Sequence, residues 1–146
     1  MRKSIIVGVS TLALAVPSVD AWAASHATVA KTAVKKKVVV ATKSFTGPAM
    51  QASEWGPLQV TIVVKRTTTT VGTKKTVAKK ITAVKVPVSP DHTNRSIYIN
   101  KQALPYLIQE TLKAQGSGIN MVSGASDSSD AFIQSLNSAV LHAKAW

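Results

Sequence analysis

Leu58, Val60, Ile62 and Val64 alternate with Gln59, Thr61, Val63 and Lys65. A period of two puts the first four on one face of a strand, and that face has to be covered. Ile81 to Val88 is the expected antiparallel partner, with Val84, Val86 and Val88 on one side. Ile81 is out of phase with them, so the partner carries either a bulge or a second covered face. Between the two lies Lys65 to Lys80, a ribbon of Thr and Lys around Val71-Gly72-Thr73. Its glycine is suited to a turn.

The segments that cover the strands lie downstream. Ser89 to Asn94 has the composition of a loop, Ile97 and Ile99 continue as an extended or turn segment, and Asn100 can cap the next helix. Leu104, Leu107, Ile108, Thr111 and Leu112 fall at helical spacing. Proline is tolerated in a first turn, so the regular helix is expected to start near Pro105, after a tighter turn over Lys101 to Leu104. Gly116 and Gly118 can close it. Phe132, Ile133, Leu136, Ala139 and Val140 form the buried stripe of a last helix, with Ser128 as its expected N-cap. Strands are expected near 43–46, 58–66, 78–88 and 119–123. The fold class is therefore α+β, a small antiparallel sheet packed by two helices.

The N-terminal part reads differently. Arg2 and Lys3 precede an apolar run from Ile5 to Val16, and Ala21-Trp22-Ala23 supplies small residues for cleavage after Ala23. Residues 1–23 are thus expected to be a secretory signal peptide. An uncleaved anchor is the alternative, but the run is short of the about 20 apolar residues that a span needs. The protein is expected to be exported, to an extracellular or cell-envelope location, secreted or membrane-associated. Residues 24–42 read as a basic disordered tether, rich in Ala, Val, Thr and Lys, that buries too little to offset its ordering entropy. Val38-Val39-Val40 is able to add an edge strand. Residues 43–146 form the folded domain.

The net charge is +12. A chain this basic is drawn to polyanions, and export favours an anionic wall polymer or anionic lipid; nucleic acid is not an expected partner. Seven cations lie between Lys65 and Lys85 without one acid. They form either a docking surface or a solvated hairpin whose charges discourage edge pairing. There is no cysteine, hence no disulfide framework and no thiolate metal site. His26, His92 and His142 lack metal-ligand spacing, so no metal is expected. Gly-x-Ser-x-Gly, Walker-type and Gly-x-Gly-x-x-Gly patterns are missing, and no residue is assigned a catalytic role.

The remaining chemistry lies in Val122-Ser123-Gly124-Ala125-Ser126-Asp127-Ser128-Ser129-Asp130-Ala131. A short apolar run leads into a small, hydroxyl-rich turn that feeds a helix. Small residues let a ligand approach the backbone, and a helix start offers unpaired N–H groups and a positive dipole end, which together make a floor for a phosphate. A Ser-rich helix cap that binds nothing is the plainer alternative.

The run Ser123-Gly124-Ala125-Ser126 followed by Ser128-Ser129-Asp130-Ala131 resembles the FMN-binding domain family, found in flavin-carrying subunits of sodium-pumping NADH–quinone oxidoreductases and in small exported bacterial proteins. Phe45-Thr46-Gly47, Trp55-Gly56-Pro57-Leu58-Gln59-Val60, Ile99-Asn100, Ala103-Leu104-Pro105 and Gln109-Glu110-Thr111-Leu112 extend the resemblance upstream. It implies FMN as cofactor, joined through its phosphate by a flavin transferase to a threonine hydroxyl of the motif. Ser126 stands at that position, and Asn120 stands where the pattern usually has an aspartate. Ser123, Gly124, Ala125 and Ser129 would line the phosphate and ribityl end. The implied role is electron transport by a phosphoester-linked flavin, with a membrane reductase as donor. The alternative is a non-enzymatic, basic cell-surface binding module that no longer carries flavin.

Overall fold

The computed structural model describes residues 34–146. The expected signal peptide, residues 1–23, and the first part of the expected tether lie outside the described residues. Lys36–Thr46 form strand β1, Met50–Gln51 β2, Pro57–Val71 β3 and Lys74–Val88 β4; Asn94–Ala114 form helix α1 and Ser126–Ala145 helix α2. The architecture is the expected α+β, an antiparallel sheet with two helices. β3 is its centre. It pairs with β1 over Thr61 to Val71 and with β4 from Gln59 to Val71, while β2 takes Pro57 and Leu58.

Leu58, Val60, Ile62 and Val64 point to the helices and are 0 to 2% exposed. Phe132, Leu136 and Ala139 of α2, and Leu107 of α1, meet them with no exposed surface. Burying each of the larger side chains contributes roughly 1.5–3 kcal/mol. Ile81 and Val84 of β4 join this core although they are three residues apart. The register explains how: Val63 pairs with Ala83 but Val64 with Ile81, so Thr82 is extra, a bulge that returns Ile81 to the covered face. Gly72, with φ 60°, opens the two-residue turn between β3 and β4.

Four local expectations are corrected. Residues 36–42, expected to lie in the tether, belong to β1. Their side chains are exposed, and backbone pairing with Lys65 to Val71 holds them. No strand forms at 119–123. Ile119 and Val122 pack on the core, and the Val122 N–H donates to Ser129 Oγ at 3.0 Å, so a side chain replaces the ladder. α1 starts at Asn94 rather than near Pro105. Thr93 Oγ1 accepts from the Ser96 N–H at 3.1 Å and Ser96 Oγ accepts from the Thr93 N–H at 3.2 Å, a reciprocal cap. Burial of Ser96, Asn100 and Ala103, with Asn100 Nδ2 donating to Pro90 O at 2.9 Å, adds to it, and Pro105 lies inside the helix. α2 starts at Ser126, with Ala125 rather than Ser128 in the N-cap position.

Two contacts seat the helices. Between β1 and β2 the ladder along β3 is interrupted. There the Val60 N–H donates to Ser135 Oγ of α2 at 2.9 Å, and the Gly47 N–H donates to Val60 O at 2.9 Å. α2 comes so close that a Cβ on Gly47 would lie 1.9 Å from Ser135 O. At the end of α1, Gln115 adopts the left-handed conformation and its side-chain amide pairs with β4: Oε1 accepts from the Ile81 N–H at 2.8 Å and Nε2 donates to Ile81 O at 3.1 Å. Among the described residues no helix is long and apolar enough to cross a membrane.

Candidate functional site

Helix α2 begins because Val122 to Ala125 form a locked turn. The Ala125 N–H donates to Val122 O at 3.0 Å, and Gly124 takes φ 80°, a conformation that side chains disfavour. Ser129, fully buried, holds the turn from below. Its hydroxyl donates to Ala125 O at 2.8 Å and accepts the Val122 N–H. Among the described residues no side chain caps the helix, so the first-turn N–H groups of Ser126, Asp127 and Ser128 are left for an outside acceptor.

Three separate pieces of chain meet at this helix start. Trp55 comes from the short turn before β3, while Arg95, Ser96 and Ile99 come from the first turns of α1; together with Gly124 to Ser128 they enclose a cleft of about 250 Å³. Both helices therefore point their positive N-terminal ends at one space, and Arg95 adds a full charge beside them. The opposing charge is Asp127, whose Oδ2 accepts from Trp55 Nε1–H at 3.2 Å and is thereby tied to the wall. Asp130 does not line the cleft and accepts from Gln134 Nε2 at 2.7 Å. Gly56, at φ 113°, lets the Trp55 turn lie close to His92: an added Cβ would come within 2.8 Å of His92 Nε2.

Of the residues singled out in the sequence, Gly124, Ala125 and Ser126 line the cleft. Ser126 is exposed there, on the first residue of the helix. Ser123 is exposed but does not line it, and neither does Asn120. Ser129 serves the turn rather than the cleft, because its hydroxyl is already engaged on both sides. Trp55 and Arg95 were not anticipated as site residues. A signal for Arg95 was present: Thr93 and Ser96 form a cap pair around it, which would have put Arg95 in the first turn of a helix.

No protein-family model and no curated protein matches this chain. The resemblance to the FMN-binding domain family therefore rests on the quoted residues alone.

Proposed function

We propose that this protein is an exported flavoprotein of electron transport, whose cleft takes the phosphate and ribityl end of FMN, with Ser126 as the point of attachment. One observation carries the reading: two helix N-termini and Arg95 converge on the turn that bears the Ser126 hydroxyl. A phosphate, dianionic in free FMN and monoanionic once esterified to Ser126, is the ligand group such a constellation suits best.

Two further features support the reading. The volume of about 250 Å³ is below the roughly 300–1,000 Å³ of pockets that enclose a whole drug-sized ligand, which suits one end of a cofactor. Trp55 offers a flat apolar surface at the rim, and its N–H draws the Asp127 carboxylate to the wall. Bound FMN would supply the redox chemistry. The chain would supply position: N–H groups and Arg95 for the phosphate, and an exposed alcohol for the ester. A membrane reductase is the proposed electron donor and a flavin transferase the attaching enzyme; with a flavin dinucleotide as donor, the Ser126 oxygen would displace the nucleoside monophosphate at the FMN phosphorus and give up its proton.

The test is to export the full chain together with a flavin transferase and to measure its intact mass and its fluorescence after denaturation. An FMN-sized mass increase that maps to Ser126 and is lost in Ser126→Ala supports covalent attachment. An unmodified, dark protein rejects it, and titration with free FMN then tests reversible binding. In that titration Arg95→Gln should weaken binding by about 10- to 100-fold, as expected for one charged hydrogen bond. Equal affinity in both proteins would reject the cleft as the phosphate site.

A further inference from the structure

Strands β1, β3 and β4 carry lysines and one arginine but no Asp or Glu. Two successive rows of the sheet set cation directly against cation, Lys65 opposite Lys80 and Arg66 opposite Lys79. Like charges in such pairs destabilise a sheet. On the face toward the helices the repulsion is relieved. Arg66 Nη1 donates to Trp146 O at 2.7 Å, and Lys79 Nζ donates to Ala143 O at 3.1 Å and Lys144 O at 2.8 Å. The negative end of the α2 dipole faces both. Lys65 and Lys80 are on the opposite, helix-free face, exposed, with no ion pair to either among the described residues. That face lacks the counter-charge that its twin has.

The same face repeats the pattern. Lys36 and Lys74 flank Val71 at the turn end of the sheet, and Lys85 lies opposite Thr61. Measured along β3, these cationic rows are about 20 Å and about 13 Å from the Lys65 row. The positions between them are uncharged and mix hydroxyl with apolar side chains: Thr67, Thr69 and Thr76, but also Val38, Val40 and Val63. Across its three strands the face is only about 10 Å wide.

We propose that the helix-free face of β1, β3 and β4 binds an acidic polysaccharide. Such a polymer is linear, which suits a long, narrow stripe better than the plane of a bilayer does. Its acidic groups are separated by uncharged sugar units, as the cationic rows here are separated by uncharged residues. The ladder of these strands carries no aromatic residue on this face, so it offers no stacking platform of the kind that holds single-stranded nucleic acid. Its cations are lysines, and the one arginine of the strands is engaged on the other side, so the bidentate forks that favour phosphates are missing. The cleft at α2 plays no part in this surface.

Binding of the full chain to polygalacturonate, measured by calorimetry at low and at moderate salt, tests the proposal. Wild type should bind, and more weakly as salt rises. Lys65→Gln/Lys80→Gln should bind about tenfold or more weakly, a loss of about 1.4 kcal/mol or above. Its Tm should be unchanged or raised, because a like-charge pair has been removed, which separates lost binding from lost fold. Lys101→Gln/Lys113→Gln, on α1, removes the same charge and should bind within about twofold of wild type. The proposal is overturned if wild type fails to bind at low salt, if the β-sheet variant binds as wild type, or if the α1 variant weakens equally. Tighter binding to duplex DNA or to phosphatidylglycerol vesicles at matched charge overturns it as well.

Discussion

Gly47 offers the sharpest test of how the helices are seated. Its φ is not positive, so an alanine there meets a problem of space and not of backbone strain. The new methyl would lie 1.9 Å from Ser135 O and 2.7 Å from both the carbonyl carbon and the hydroxyl of Ser135. The first two are backbone atoms in the middle of α2 and cannot rotate away. An ordinary contact of about 3.4 Å requires the helix to recede by about 1.5 Å. That retreat stretches the 2.9 Å bond from the Val60 N–H to Ser135 Oγ and opens the packing of Phe132 and Leu136 on Leu58 and Val60. Overpacking costs about 1–3 kcal/mol, and stranding a buried N–H about 1–3 more. Gly47→Ala should therefore lose about 2–6 kcal/mol, which lowers Tm by roughly 8–24 °C for a domain of this size. Circular dichroism melts and urea titration of the full chain measure it. Ser135→Ala alone should cost about 1–3 kcal/mol, and the double variant should be about as unstable as Gly47→Ala, since the same hydrogen bond is already lost. A Gly47→Ala melting point within about 2 °C of wild type refutes the seating of α2 on the gap between β1 and β2. Rescue of Gly47→Ala by Ser135→Ala would show that the hydroxyl, not the helix backbone, made the clash.

Ser129→Ala should cost about 1–3 kcal/mol in a urea titration, because the Val122 N–H loses its acceptor and Ala125 O loses one donor; a neutral change would mean that the turn holds itself. Pro105→Ala should stabilise the protein by up to about 3 kcal/mol, since Pro105 interrupts a helix that runs from Asn94 to Ala114. A fall in Tm would place the start of the helix at Pro105 after all. Gln115→Ala should cost about 1–2 kcal/mol by removing both bonds to Ile81, with amide exchange at Ile81 accelerated as the local signature.

The parts of the fold legible in the sequence are those written in side-chain periodicity. Leu58 to Val64 shows its covered face outright, and the phase error at Ile81 marks the bulge at Thr82. Residues 36–42 mislead because their composition describes burial correctly and pairing only at Val38-Val39-Val40, which can be read as an edge strand: the side chains are exposed, yet β3 orders the whole backbone. Pro105 outweighs Thr93 and Ser96 in the sequence-based placing of α1, because the burial of Ser96, Asn100 and Ala103 that joins the cap in holding the first turns depends on tertiary packing. At the cleft, the small residues of the turn can be read locally. Trp55 and Arg95 cannot be joined to it, because they arrive from other elements through the packing of the whole domain. Ser129 looks like one more hydroxyl for a ligand, and only tertiary structure reveals that its bonds are already made.

The length of β3 has a consequence for reach. The strand runs from Pro57, beside Trp55, to Val71 at the hairpin, about 45 Å away. A polymer gripped by the rows from Val71 down to Thr61 would have its outermost grip at that stand-off and its nearest about 13 Å from Pro57, on the face away from the helices. Lengthening β1, β3 and β4 by two residues each beyond the helices would extend the stand-off by about 7 Å and keep every side chain on its side. Lengthening by one would turn the outer lysines over to the opposite surface.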